Sequence, residues 1–144
     1  MIKKVIKGKD FNGDVYEEAY YFHVSTGDLI DWMTEDGGLV NQILSISKQE
    51  DPMKIIPVMK KIILRSYGVK TPDGRGFMKD PETIKAFQYS DAFSELYTEL
   101  STDSEKAAEF VNGILPEFDE ETQKKLDEAK AQYEKEMGIS LEAK

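Results

Sequence analysis

The 144-residue chain has no cysteine, which excludes a disulfide framework, a thiol nucleophile and thiolate metal ligands. It has one histidine, His23, and that residue sits mid-strand among aromatics, away from any serine nucleophile pattern, so it reads as structural. No apolar run approaches the ~18 residues of a membrane helix. The opening stretch, Met1 to Asp10, lacks the apolar region of a signal peptide, so the expectation is a protein that stays inside the cell. An excess of basic charge is also missing. The formal net charge is −9 and the pI near 4.7, which argues against nucleic acid as a main partner, because phosphate attraction supplies most of that affinity.

What is present suffices for one folded domain, with 40% hydrophobic and 10% aromatic residues. Charge is segregated along the chain. Lys60 to Lys85 carries seven bases against three acids, whereas Ala86 to Lys144 carries fifteen acids against six bases. Such a molecule is suited to salt-sensitive self-association or to an oppositely charged partner.

Turn chemistry organises the chain. Asn12-Gly13 between Ile2 to Lys9 and Val15 to Ser25 predicts an N-terminal hairpin. On its second strand Tyr16, Glu18, Tyr20, Phe22 and Val24 share one face, and Val15, Glu17, Ala19, Tyr21 and His23 the other. Because both faces carry aromatics, each is expected to be at least partly covered. Ser25 to Asp28 offers a cap for a short helix ended by Glu35-Asp36-Gly37-Gly38. Leu39, Ile43, Leu44 and Ile46 suggest another, and Asp51-Pro52 opens a central core helix reaching Tyr67 with Gly68 as its stop. Pro57 predicts a kink or a late start there.

Pro72-Asp73-Gly74 reverses the chain, and Asp80-Pro81-Glu82 starts a helix that ends near Tyr89. Ser90 recaps a second helix to about Leu100. Thr102 with Glu105 forms a capping box for a third, which runs through Ala107, Phe110, Val111 and Ile114 until Pro116. Glu117 to Met137 is a charged helix with a thin stripe of Leu126, Ala129, Tyr133 and Met137 before Gly138. The fold class is therefore α+β and mainly helical: an N-terminal β-hairpin, five or six helices and a charged C-terminal helix. The expected division is 1–116, with the hairpin at 2–24 and a helical core at 25–116, followed by a tail at 117–144.

Patterns that carry chemistry fail on spacing. Asp10-x-Asn12-x-Asp14 opens like a calcium loop, but the glycine falls at Gly13 and Tyr21 stands where the bidentate glutamate belongs. Pro72 to Gly76 lacks phosphate-loop spacing. Glu117, Asp119, Glu120 and Glu121 suit a helix N-terminus rather than paired-carboxylate catalysis. No metal, cofactor or enzyme activity is expected.

One ordered series of short motifs resembles a known family. It comprises Tyr67-Gly68-Val69-Lys70, Asp73-Gly74-Arg75-x-Phe77-x-Lys79, Phe87, Ala92-Phe93-Ser94-Glu95-Leu96 and Glu99-Leu100. Ala107-Ala108-x-Phe110-Val111-Asn112-Gly113-Ile114-x-Pro116 completes it. With the Asp10 to Asp14 turn and Tyr20-Tyr21-Phe22, residues 2 to 116 resemble the tail assembly chaperones of long-tailed phages and prophages of Gram-positive bacteria. Pro57, Gly76 and the long tail after Pro116 depart from that pattern.

The resemblance implies a non-catalytic protein that binds the tape measure protein in the host cytoplasm, keeps it soluble during tube assembly and is absent from the mature virion. Implied partners are the tape measure protein, further copies of the chain and the tail tube protein. The competing expectation is a virion structural tail protein, a tail completion or tube component. On the chaperone reading, an apolar groove bearing Phe93, Tyr97, Phe110 and Ile114, together with Leu126, Tyr133 and Met137 of the tail, is expected to meet the partner.

Overall fold

The computed structural model describes residues 1–32, 55–116 and 120–137. Strands β1 (Ile2–Lys9) and β2 (Val15–Phe22) form the hairpin, in the register Ile2 to Phe22 through Lys9 to Val15. The Asp10 carboxylate closes its turn by accepting from the amides of Asn12 and Asp14, both at 2.9 Å, while Gly13 takes the left-handed conformation at φ 93°. That carboxylate therefore serves the turn.

Helix α1 (residues 26–32) follows. Ser25 and Asp28 cap it reciprocally: the Asp28 amide donates to Ser25 Oγ at 3.0 Å and the Ser25 amide to Asp28 Oδ2 at 2.9 Å. The helix end expected at Glu35 to Gly38, the segment from Leu39 to Ile46 and the Asp51-Pro52 cap lie outside the described residues.

Helix α2 (Ile55–Ser66) contains Pro57, and the start of the core helix expected at Asp51-Pro52 lies outside the described residues. Its end differs from expectation. Tyr67 and Gly68 are not a helix terminus but open strand β3 (Tyr67–Lys70), which pairs with β2 through Tyr67–Phe22 and Gly68–Tyr21. Gly68 is required by close approach, since a Cβ there would lie 2.8 Å from the Met78 carbonyl oxygen. Strand β4 (Phe77–Met78) completes a sheet of order β1-β2-β3-β4. The β3–β4 turn is fastened by Asp73 Oδ1, which accepts from Thr71 Oγ1 at 2.6 Å and from the Arg75 amide at 3.0 Å. These bonds, that from Thr71 first, hold the Asp73 carboxyl below its usual range.

Helix α3 (Pro81–Gln88) starts with proline at its first position, as expected. Asp80 makes no side-chain bond to the helix amides; instead its Oδ2 accepts from Thr83 Oγ1 at 3.2 Å. Ser90 recaps α4 (Asp91–Thr102) by accepting from the Phe93 amide. The next cap falls one residue later than the Thr102 to Glu105 box predicts. Asp103 accepts from the amides of Glu105 and Lys106, both at 3.1 Å, and Thr102 stays in α4 bonded to the Thr98 carbonyl. The carboxylate is the better acceptor of two orphan amides.

Helix α5 (Ser104–Ile114) and α4 cover the inner face of the hairpin. Phe22 lies at the centre, sealed from solvent, with the rings of Phe110, Phe87 and Tyr67 5.2 to 5.8 Å away. Leu29, Met59, Ile62, Ile63, Leu96 and Ile114 fill the space around it. Backbone bonds tie the sheet to both helical ends: the His23 amide donates to Ser66 O at 2.8 Å and the Val24 amide to Ile114 O at 2.9 Å. The N-terminal amine donates to Gly113 O at 3.2 Å, and the Ile2 side chain occupies the space a Gly113 Cβ would take. Among the described residues, the hairpin is thus followed by six helices; the last, α6 (Glu120–Met137), begins after Pro116.

Candidate docking surface

The residues expected to line an apolar groove are mostly interior. Phe93, Phe110 and Ile114 are 7%, 2% and 0% exposed, so the groove between their helices is filled by the hairpin and α2. Tyr97 is half-buried at the edge of this core, its ring 5.6 Å from that of Phe93. From α6, Leu126 is buried in the same core and Ala129 is half-buried, while most other described side chains of that helix are exposed. Tyr133 and Met137 lie on α6, and their side chains are outside the described set.

Three surface features were not singled out by sequence. The first is an open cleft of about 470 Å³ between the inner face of β2 and helix α3. Its floor is aromatic. Tyr67 stacks on Phe87 at 4.3 Å between ring centroids, and Tyr20 leans on Phe87 at 5.1 Å. Tyr16 and Glu18 form the β2 wall, Thr83 and Ala86 the α3 wall, and Asp10 with Ser90 the lip. Tyr16 can lie across the sheet because Gly8 has no Cβ; one added there would lie 2.8 Å from the tyrosine ring. Burial, with the neighbouring Glu18 carboxylate, raises the Tyr20 hydroxyl far above its ordinary value, and burial raises that of Tyr67. Both phenols stay neutral donors.

On the opposite face of the sheet, strand alternation sets Lys3, Val5, Lys7 and Lys9 across from Tyr21, Ala19, Glu17 and Val15. The three lysines are exposed, as are Val5 at 58% and Val15 at 67%, so among the described residues this face is covered only in part. Tyr21 is partly shielded by Lys70 of β3, whose Nζ sits 4.3 Å from its ring centroid. Four lysines here meet one glutamate.

The third feature joins α1 to the β4–α3 connection. Lys79 Nζ donates to Asp28 Oδ2 at 2.9 Å and lies 5.4 Å from the Trp32 ring centroid, with Arg65 5.6 Å from the same ring. Burial lowers the Lys79 pKa, and Asp28 partly offsets this. Burial pushes Asp28 up, but the Ser25 amide and Lys79 overcome it and leave the carboxyl below its ordinary value. His23 stands nearby, edge-on to Phe77, with a buried Nδ1 that finds no hydrogen-bond partner among the described residues. This cluster reads as structural. Its charges are paired and its aromatic faces occupied.

The described residues thus form a sheet-and-helix fold with an aromatic cleft on one face of the sheet and a cationic patch on the other. The comparison with protein families gives the particular class: the chain matches the phage tail assembly chaperone family over residues 1–142 and belongs to it. No curated protein and no solved structure matches it. Among the described residues, no helix is long and apolar enough to cross a membrane.

Proposed function

We propose that this chain binds the tape measure protein and keeps it soluble until tail tube subunits close around it. Family membership across residues 1–142 carries the reading. The physical need is plain: a long helical cargo with apolar stripes aggregates unless the stripes are covered, and an acidic cover repels its neighbours. A net charge of −9 supplies the repulsion.

For the apolar contact we propose α6 as a detachable arm. Pro116 separates it from α5, and it reaches the core through Leu126. When α6 lifts, Leu126, Tyr133 and Met137 become available to a cargo helix, and Tyr97, with Phe93, Phe110 and Ile114 behind it, is the proposed other half of the contact. The protein then acts in the host cytoplasm and leaves before the virion is complete.

Co-expression tests this. The tape measure protein is expected in the soluble fraction with this chain and in the pellet without it; equal solubility in both cases refutes the proposal. Mass spectrometry of purified virions is expected to find no copies, whereas stoichiometric copies identify a structural tail component instead.

A further inference from the structure

We propose that the aromatic cleft between β2 and α3 receives a lysine from the outer face of the hairpin of a second copy, joining copies head to tail. The two surfaces lie on opposite faces of one sheet, so the contact is heterologous, and a heterologous contact that does not close propagates into a row. Charge complementarity names the occupant. Glu18 stands in the cleft wall, and among the described residues no cation pairs with it. On the outer face Lys3, Lys7 and Lys9 are exposed, flanked by the exposed methyl groups of Val5 and Val15.

The cleft chemistry suits an ammonium group on an aliphatic stem. Rings of Tyr20, Tyr67 and Phe87 offer the stem an apolar floor, and Glu18 meets the charge. The chain already seats lysines this way, Lys70 against Tyr21 and Lys79 against Trp32 beside Asp28. Pairing of β1 with β1 of a second copy is disfavoured, because it sets lysines against lysines. A row of copies also suits a long cargo, each weak contact adding to the total, but the proposal stands on the two surfaces alone.

Sedimentation of the full chain tests it. The protein is expected to associate at about 0.1 M salt and to dissociate near 1 M, as the screening length falls from about 10 Å to about 3 Å. Glu18→Lys, and separately Lys3, Lys7 and Lys9 all changed to Glu, are each expected to weaken association at least about tenfold. Mixing Glu18→Lys with a variant whose Lys3, Lys7 and Lys9 are changed to Gln restores a 1:1 pair that grows no further, because the pair joins the one intact cleft to the one intact lysine face and leaves free a cationic cleft and a neutral face. If the triple glutamate variant misfolds, changing the same lysines to Gln gives the weakening without added acids. Three outcomes overturn the proposal: a wild-type monomer at high concentration, unchanged association of Glu18→Lys, or no recovery on mixing. A Glu18→Lys variant that still self-associates but loses cargo would assign the cleft to the cargo instead.

Discussion

The hairpin and helix α6 occupy the two ends of the chain and are attached in different ways. The hairpin is held by side chains and backbone together: Phe22 and Val24 are sealed in the core, Val24 donates to α5, and Lys9 donates its amide to Asp91 of α4 at 2.9 Å. Among the described side chains of helix α6, Leu126 is the one deeply buried, and most of the others are exposed and charged. Burial of a single leucine contributes about 1.5 to 3 kcal/mol, less than the ordering of a helix of this length consumes. On the arm proposal, one end is part of the cooperative unit and the other exchanges its contact for a better one.

Breaking the hairpin's anchor gives the largest expected effect. Phe22→Ala removes the ring on which Tyr67, Phe87 and Phe110 converge and is expected to cost about 3 to 5 kcal/mol, seen as a large drop in the urea midpoint. A loss under about 1 kcal/mol would mean that the sheet is not the organising element.

Truncation after Pro116, or Leu126→Ala in the full chain, sharpens the comparison from the other side. The thermal transition of the truncated protein is expected to stay within a few degrees of the parent, because most of the core lies before Pro116. Tape measure binding should change. A truncated chain that unfolds or precipitates would place α6 in the cooperative core and end its role as an arm.

How legible these regions were follows from the range of the interactions. Caps and turns are local, so Ser25, Ser90, Pro81 and the Asp10 to Asp14 turn point correctly to element ends. Strand β3 is not local. Tyr67 and Gly68 continue a helical apolar pattern, and what draws them into a strand is pairing with Phe22 and Tyr21, which lie far earlier in the chain. Phe93, Phe110 and Ile114 have the spacing of either a groove or a core, and the hairpin that fills the space decides between them. The cleft left one faint sign, a glutamate at Glu18 on the face that also carries Tyr20 and Phe22. A charge on a core-facing register position marks a place where the cover stops.

The smallest expected effect concerns where the hairpin meets α1, and it distinguishes packing from titration. Burial lowers the His23 pKa from its ordinary 6.5, aided by the N-terminal amine and Lys79 and opposed by Asp28. At neutral pH the imidazole is uncharged in both folded and unfolded chains, so it adds no pH dependence. As the pH falls below 6.5 the unfolded chain binds a proton that the folded chain refuses, and stability declines until the lower folded-state value is reached. Asp28 works in a more acidic window. Its carboxyl lies below the ordinary 3.8 in the fold, so its contribution is present above that value and lost as the pH falls through the folded-state pKa. His23→Phe keeps a ring against Phe77 and removes the proton site, and is expected to flatten the stability profile between about pH 7 and pH 5 while leaving the loss near Asp28's range intact. Urea midpoints across that range decide it: parallel profiles for the parent and the variant would show that another group carries the acid sensitivity.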